Sequence, residues 1–167
     1  MNVCLKRLSA SDGRDIYEML QAIPRDENGF MNGVNGMTVD EYHAWLIREE
    51  GNSRKTEIED GWKVPSTTFW LYADGRPVGM GKIRHFLTDK LLREGGNIGY
   101  AIAPGERGKG YGKILLKELL KEAKKIGIER ALITVRNDNL PSIRVALANG
   151  GAIEKIEAGR NYIWVEC

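Results

Sequence analysis

Cysteine is nearly missing from this chain: Cys4 and Cys167 are the only two among 167 residues. Two thiols make neither a disulfide framework nor a zinc-ligand cluster, so no bound metal is expected and a reducing cytoplasm is the default compartment. Long apolar runs are missing too. Nothing approaches the length of a membrane span, and the opening MNVCLKRLSA has no signal-peptide stretch. Strong charge of one sign is lacking as well. A net charge of +2 is too mild to point to nucleic acid. Repeats, low-complexity tracts and linkers are not found. What remains is the composition of an ordinary globular protein, 42% hydrophobic and 29% charged, at a length that suits one domain with a real core.

Glycine is the residue in surplus, and its placement is uneven. The stretch ERGKGYGKILLKELL, Glu106 to Leu120, sets three glycines and two lysines directly before an apolar-and-lysine helical pattern. Glycine inside a helix costs roughly 0.5–1 kcal/mol relative to alanine, so this clustering calls for a reason.

The surrounding pattern gives the context. Val3 to Leu8 reads as an opening strand. Ser11 is placed to cap a helix carrying Ile16, Met19, Leu20 and Ile23, which Pro24 stops. Asp26 to Gly36 reads as a loop. Thr38 with Glu41 forms a capping box for a helix that has Val39, Tyr42, Trp45 and Leu46 on one face. Gly51 to Pro65 reads as a second long loop. Strands Thr67 to Ala73 and Val78 to Leu87 flank the hairpin dipeptide Asp74-Gly75, and Asn97 to Ala103 follows as another strand. A helix runs from Gly110 to Ile126 and ends at Gly127, followed by a buried strand, Ala131 to Val135. Asn139 then caps a short helix with Pro141 in its first turn. Two strands, around Ile153 to Ala158 and Tyr162 to Glu166, turn at Gly159. The expected order is β-α-α-β-β-β-α-β-α-β-β, a mixed α/β fold in a single domain over residues 1–167.

In that order the glycine loop lies between a strand and a helix N-terminus. Unpaired N–H groups and the positive end of the helix dipole make such a place an anion site, and Lys109 and Lys113 add charge. The plain alternative is a flexible surface turn. A Walker loop fails because Tyr111-Gly112 stand where Lys-Ser/Thr is required. A Rossmann loop fails because Lys113 follows where its third glycine belongs.

Arg107-x-x-Gly110-x-Gly112, after a strand ending Ile102-Ala103-Pro104, resembles the acyl-CoA loop of the GNAT superfamily of N-acetyltransferases. Asn139-x-x-Ser142 resembles that family's second cofactor segment. The stretches VPSTTFWLYADG, IRH, GGNIGYAIAPGERGKGYG and NYIWVEC are similar to a poorly characterised bacterial branch of it. The resemblance implies a central mixed, mostly antiparallel sheet of about seven strands flanked by four helices. It implies transfer of an acetyl group from acetyl-CoA to a primary amine of a small molecule or peptide, in a monomer or homodimer with no nucleic-acid or membrane partner. Main-chain groups of Ala101, Ile102 and Ala103 would face the pantetheine arm and the thioester carbonyl. Arg107, Gly108, Lys109, Gly110, Tyr111 and Gly112 would hold the diphosphate. Lys109 and Lys113 would reach the 3′-phosphate, and Asn139 and Ser142 would line the pantetheine. Asn139 as a plain helix cap is the competing reading.

Two departures stand out. Many family members protonate the leaving thiolate with a helix tyrosine, and Ala146 holds that place here. The family's carboxylate in the strand before the loop is missing as well. Tyr100, Tyr111 and Tyr162 are substitute acids, each with packing as its plainer role. Glu94 and His85 are the nearest candidates to accept the amine proton, and Glu27 to bind a cationic substrate. Acidic residues in both long loops, including Asp26, Glu27, Glu57, Glu59 and Asp60, point to a cationic amine, or are simply a solvated surface. The alternatives are a non-catalytic acyl-CoA-binding or sensing module and, more remotely, a nucleotide-phosphate binder.

Overall fold

The computed structural model describes residues 2–55, 61 and 63–167. The chain begins β1 (Val3–Arg7), α1 (Arg14–Ala22), two-residue strands β2 (Asp26–Glu27) and β3 (Phe30–Met31), and α2 (Val39–Asn52). It continues β4 (Ser66–Ala73), β5 (Arg76–Arg84), α3 (Asp89–Arg93), β6 (Ile98–Ile102) and α4 (Tyr111–Ile126). β7 (Arg130–Arg136), α5 (Leu140–Ala148), β8 (Ala152–Glu157) and β9 (Arg160–Glu166) complete it. The fold is α+β.

Turn chemistry sets the first sheet. Asp74 and Gly75 both take left-handed backbone, φ 50° and 81°, as a two-residue hairpin turn demands. They register β4 against β5 in an antiparallel sheet of order β1-β4-β5-β6. Every residue of β4 is buried, because the strand is covered on both faces. On one side Leu115, Leu116 and Leu119 of α4 pack on Leu71 and Ile83. On the other, Ile16 and Leu20 of α1 and Tyr42 and Leu46 of α2 pack on Trp70 and Met80. Helices α1 and α2 thus roof one face of the sheet while α4 underlies the other.

The second sheet has the order β7-β9-β8, with antiparallel pairs. Its connection to the first determines the site. A Cβ on Gly79 would meet Leu115, and one on Gly81 would meet Leu119, so α4 descends as β6 ascends. β7 turns back after Gly127 and therefore points the same way as β6. Among the described residues no ladder joins the two strands. Asn97 clasps them at one end: its N–H donates to Leu132 O at 2.8 Å, and its Oδ1 accepts from Leu132 N at 2.9 Å, with Gly95 N donating to Thr134 Oγ1 beside it at 3.0 Å. Beyond Asn97 the strands diverge.

Several expectations need correction. Ser11 is not the cap of α1: Gly13 holds that position without a side-chain bond, and Ser11 Oγ instead lies 2.9 Å from Ser9 Oγ. Asp26 to Gly36 is not merely a loop, since Asn28 and Gly29, both at positive φ, turn the small hairpin β2–β3. Helix α3 was not expected, because five residues are too few to display a helical period. The Thr38–Glu41 capping box forms as expected, with reciprocal bonds of 3.2 and 3.0 Å. Helix α2 runs on through Asn52 into the segment expected to be loop. Glu57, Glu59 and Asp60 lie outside the described residues.

Candidate active site

The divergence of β6 from β7 opens a cleft of about 850 Å³. At its wide end, a 3₁₀ turn over Pro104–Glu106 leads into the glycine loop and the first turn of α4. Gly108 and Gly110 take φ of 78° and 85°, a region costly for residues with a side chain. A Cβ on Gly110 would meet nothing within 4 Å, so the space before the first N–H groups of α4 is open to a ligand. Gly112 has a different reason: a Cβ there would sit 3.3 Å from Val145 Cγ2, so this glycine lets α5 approach α4.

The β6 backbone divides its hydrogen bonds by parity. Ala103 N donates to Val78 O, and Arg84 N donates to Asn97 O. Antiparallel alternation therefore turns Ala101 and Ala103 toward β5, and the main chain of Tyr100 and Ile102 toward the cleft. Of the expected trio Ala101, Ile102 and Ala103, only Ile102 faces its polar main chain into the gap, and Tyr100 joins it. Asn139, at the N-cap of α5, makes no side-chain capping bond, which removes the plain-cap reading and leaves its amide at the cleft wall. Ser142 lies one turn on, its Oγ 2.9 Å from the Tyr100 hydroxyl. Burial pushes the Tyr100 phenol up to about 12, with the Ser142 bond opposing, so it keeps its proton across the physiological range.

Charges line the cleft in pairs. Arg107 Nη2 donates to Glu27 Oε1 at 2.6 Å and Nη1 to Oε2 at 3.3 Å, while Nε donates to Ile102 O at 3.0 Å. The expected phosphate-holding side chain and the expected substrate carboxylate therefore neutralise one another. Lys109 lies outside the cleft lining, 2.9 Å from Glu106, and Glu106 also binds Arg76. Arg76 first, and then Lys109, hold the Glu106 carboxyl below its usual range. Lys113 lines the cleft, exposed, on the first turn of α4.

Of the candidate proton acceptors, Glu94 lines the cleft and accepts from Arg160 Nη2 at 2.9 Å. His85 does not line it. Its Nε2 lies 2.8 Å from Thr67 Oγ1, and burial, followed by Arg7, pulls its pKa below the ordinary histidine value. Tyr162 is not available as an acid, since its hydroxyl donates to Arg93 O at 2.7 Å. Ala146 is fully buried beneath Gly151, where a Cβ would come within 2.7 Å of the Ala146 carbonyl.

The second half of the cleft carries no motif in the sequence. Across β6 from the glycine loop, Phe30, Trp45, Met80, Lys82 and Arg84 line a chamber roofed by α1, α2 and the β2–β3 hairpin. Gly99 lets the Phe30 ring settle on the strand, at 3.3 Å from where a Cβ would be. Met80, Lys82 and Arg84 alternate along β5. That period-2 pattern of cations in an otherwise buried strand was the signal to follow.

The sequence model described as the acetyltransferase (GNAT) family matches residues 36–150. No curated protein matches the sequence. Among solved structures, a GNAT-family acetyltransferase from Streptococcus pneumoniae has 16% identity and a TM-score of 0.66, covering 99% of this chain and 100% of that one. The Campylobacter jejuni N-acetyltransferase PseH, solved with acetyl coenzyme A, has 13% identity and a TM-score of 0.63, with 99% of each chain covered. The putative acetyltransferase yncA from Salmonella typhimurium, solved with acetyl-CoA, has 15% identity, a TM-score of 0.62, and coverage of 99% and 94%.

Proposed function

This chain belongs to the acetyltransferase (GNAT) family, and on that footing we propose that it transfers the acetyl group of acetyl-CoA directly to a primary amine. The observation that carries the reading is the split between β6 and β7, with an open glycine-lined helix start at its wide end. Acetyl-CoA supplies an activated thioester. The chain supplies placement: N–H groups of Gly108 to Lys113 for the diphosphate, main-chain groups of Tyr100 and Ile102 for the pantetheine arm and thioester carbonyl, and Asn139 and Ser142 on the facing wall.

The amine attacks only when neutral. Glu94 faces the same cleft and takes the proton, directly or through water, while Arg160 holds its carboxylate in place. The leaving thiolate departs without a dedicated helix acid, since Ala146 has no hydroxyl. That absence is also what favours the second reading, a binding module without turnover.

Ligand-dependent melting tests the cofactor half of the proposal. Coenzyme A and acetyl-CoA should raise the melting temperature, because a native-state ligand at a hundred times its Kd adds about 2.7 kcal/mol. ATP and NAD at matched concentration should not. Equal stabilisation by ATP would make the loop a general phosphate site.

A further inference from the structure

We infer that Lys82 and Arg84, side by side on the roofed face of β5, form a subsite for a carboxylate, so that the acceptor is an amino acid or a similar amine bearing an acidic group. This rests on the acetyl-transfer reading and names the substrate class for it.

Position is the first support. Antiparallel pairing sets Lys82 opposite Gly99 of β6 and Thr68 of β4, and the backbone N–H of Arg84 bonds to Asn97. At about 3.3 Å per residue, Lys82 lies roughly 10 Å, and Arg84 roughly 17 Å, back along the strand from its loop end. The phosphates of a coenzyme held at the loop are therefore at the opposite end of the cleft. Lys82 and Arg84 stand at the narrow end, where an acyl group reaching down β6 would meet its acceptor.

Charge is the second. Glu27 is taken by Arg107 and Glu94 by Arg160. Glu49 lines the same chamber and stands 4.0 Å from Lys82, an ion pair without a hydrogen bond, so one carboxylate faces two cations. The Arg84 guanidinium donates Nη1 to two carbonyls, Gly95 O at 3.1 Å and Gly96 O at 3.3 Å. Those bonds orient it without neutralising it. Two cations two residues apart on one strand face, partly withdrawn from water, repel each other and lose solvation. Burial pulls the Lys82 ammonium below its usual range, Glu49 opposes this, and Arg84 adds to it. A bound carboxylate relieves both costs, and the Thr68 hydroxyl lies across from Lys82 to assist. A cationic acceptor such as a polyamine would worsen them.

The test pairs each acceptor with its neutral counterpart. L-Leucine, L-phenylalanine and L-glutamine are compared with their α-amides, both as acceptors (release of free coenzyme A) and as ligands (calorimetric titration of the coenzyme A-saturated protein). The amide has the less basic amine, so at neutral pH more of it is unprotonated and availability of the nucleophile runs against the expected order. For at least one pair the acid should be favoured tenfold or more, in kcat/KM or in Kd. Lys82→Met, which keeps the aliphatic stem, and Arg84→Gln should each bring the acid-to-amide ratio toward one. A preference for the amides, a ratio unchanged in Lys82→Met, or no binding of any acid would overturn the subsite. Acid binding that depends on Lys82 but brings no transfer would keep the subsite and remove the acetyltransferase reading instead.

Discussion

Gly110 is the residue on which the cofactor proposal presses hardest. Its left-handed backbone and the empty space in front of it both favour a ligand approaching the α4 N–H groups. Gly110→Val fills that space and strains the turn by about 1–2 kcal/mol, which a domain of this size tolerates. Coenzyme A affinity should fall at least tenfold by calorimetry, with the far-UV circular dichroism unchanged; unaltered affinity would place the cofactor elsewhere. Tyr100 tests the mechanism. Its hydroxyl faces Ser142 in the cleft, but a coenzyme A thiolate is a tolerable leaving group, so Tyr100→Phe should keep kcat within about tenfold, a barrier change of no more than roughly 1.4 kcal/mol. A hundredfold loss with cofactor affinity intact would show that the acid has moved from the helix to β6. At this scale the glycines, Asn139 and Ser142 were legible in the sequence because they follow a spacing. The Arg107–Glu27 pair was not, because its partners stand 80 residues apart and only the fold brings them together.

Elements declared themselves where local chemistry is strong. The Asp74-Gly75 turn and the Thr38–Glu41 box could be read directly, since each is complete within four residues. Helix α1 was found from its apolar spacing, but its start was misplaced, because Gly13 caps it with no side-chain signature. Helix α3 and the β2–β3 hairpin were too short for any period to show. The box makes a prediction of its own. Thr38→Ala should destabilise the protein by about 1 kcal/mol in a denaturant titration at neutral pH. The backbone bond from Thr38 holds the Glu41 carboxyl below its usual range. The folded value is depressed, so this contribution is present above the ordinary carboxylate pKa and fades as pH falls through the depressed one. Thr38→Ala keeps that backbone N–H, so the variant that reads it is Glu41→Ala, whose gap from wild type should narrow in acid; a gap that widened there would contradict the assignment.

For the whole molecule, the element order made the α+β fold legible, while no residue pattern marks the break between the two sheets, which only the family resemblance implied, through strand main chain free to face the pantetheine arm. The closed end of that break is held by Asn97, a buried polar residue which patterning assigns simply to a strand start. Its amide also donates to Arg84 O at 3.2 Å, so one side chain joins β5, β6 and β7. Asn97→Ala leaves the Leu132 N–H without that partner, at a cost of about 1–3 kcal/mol, and should loosen the cleft's narrow end. The expected result is a lower denaturant midpoint together with faster amide exchange at Leu132; a midpoint shift without local exchange would mean the clasp is not what joins the sheets. The roofed chamber beyond it, with Lys82 and Arg84, became visible only once α1 and α2 were seen lying over β5. The claim uniting these scales is acetyl transfer, and one measurement addresses it directly: acetyl-CoA is incubated with the protein and a panel of amines, with free thiol and acceptor mass followed together. Thiol release should depend on the amine and be matched by an acceptor carrying one added acetyl group. Thiol release indifferent to every amine, or none above the spontaneous rate while acetyl-CoA still binds, would contradict it.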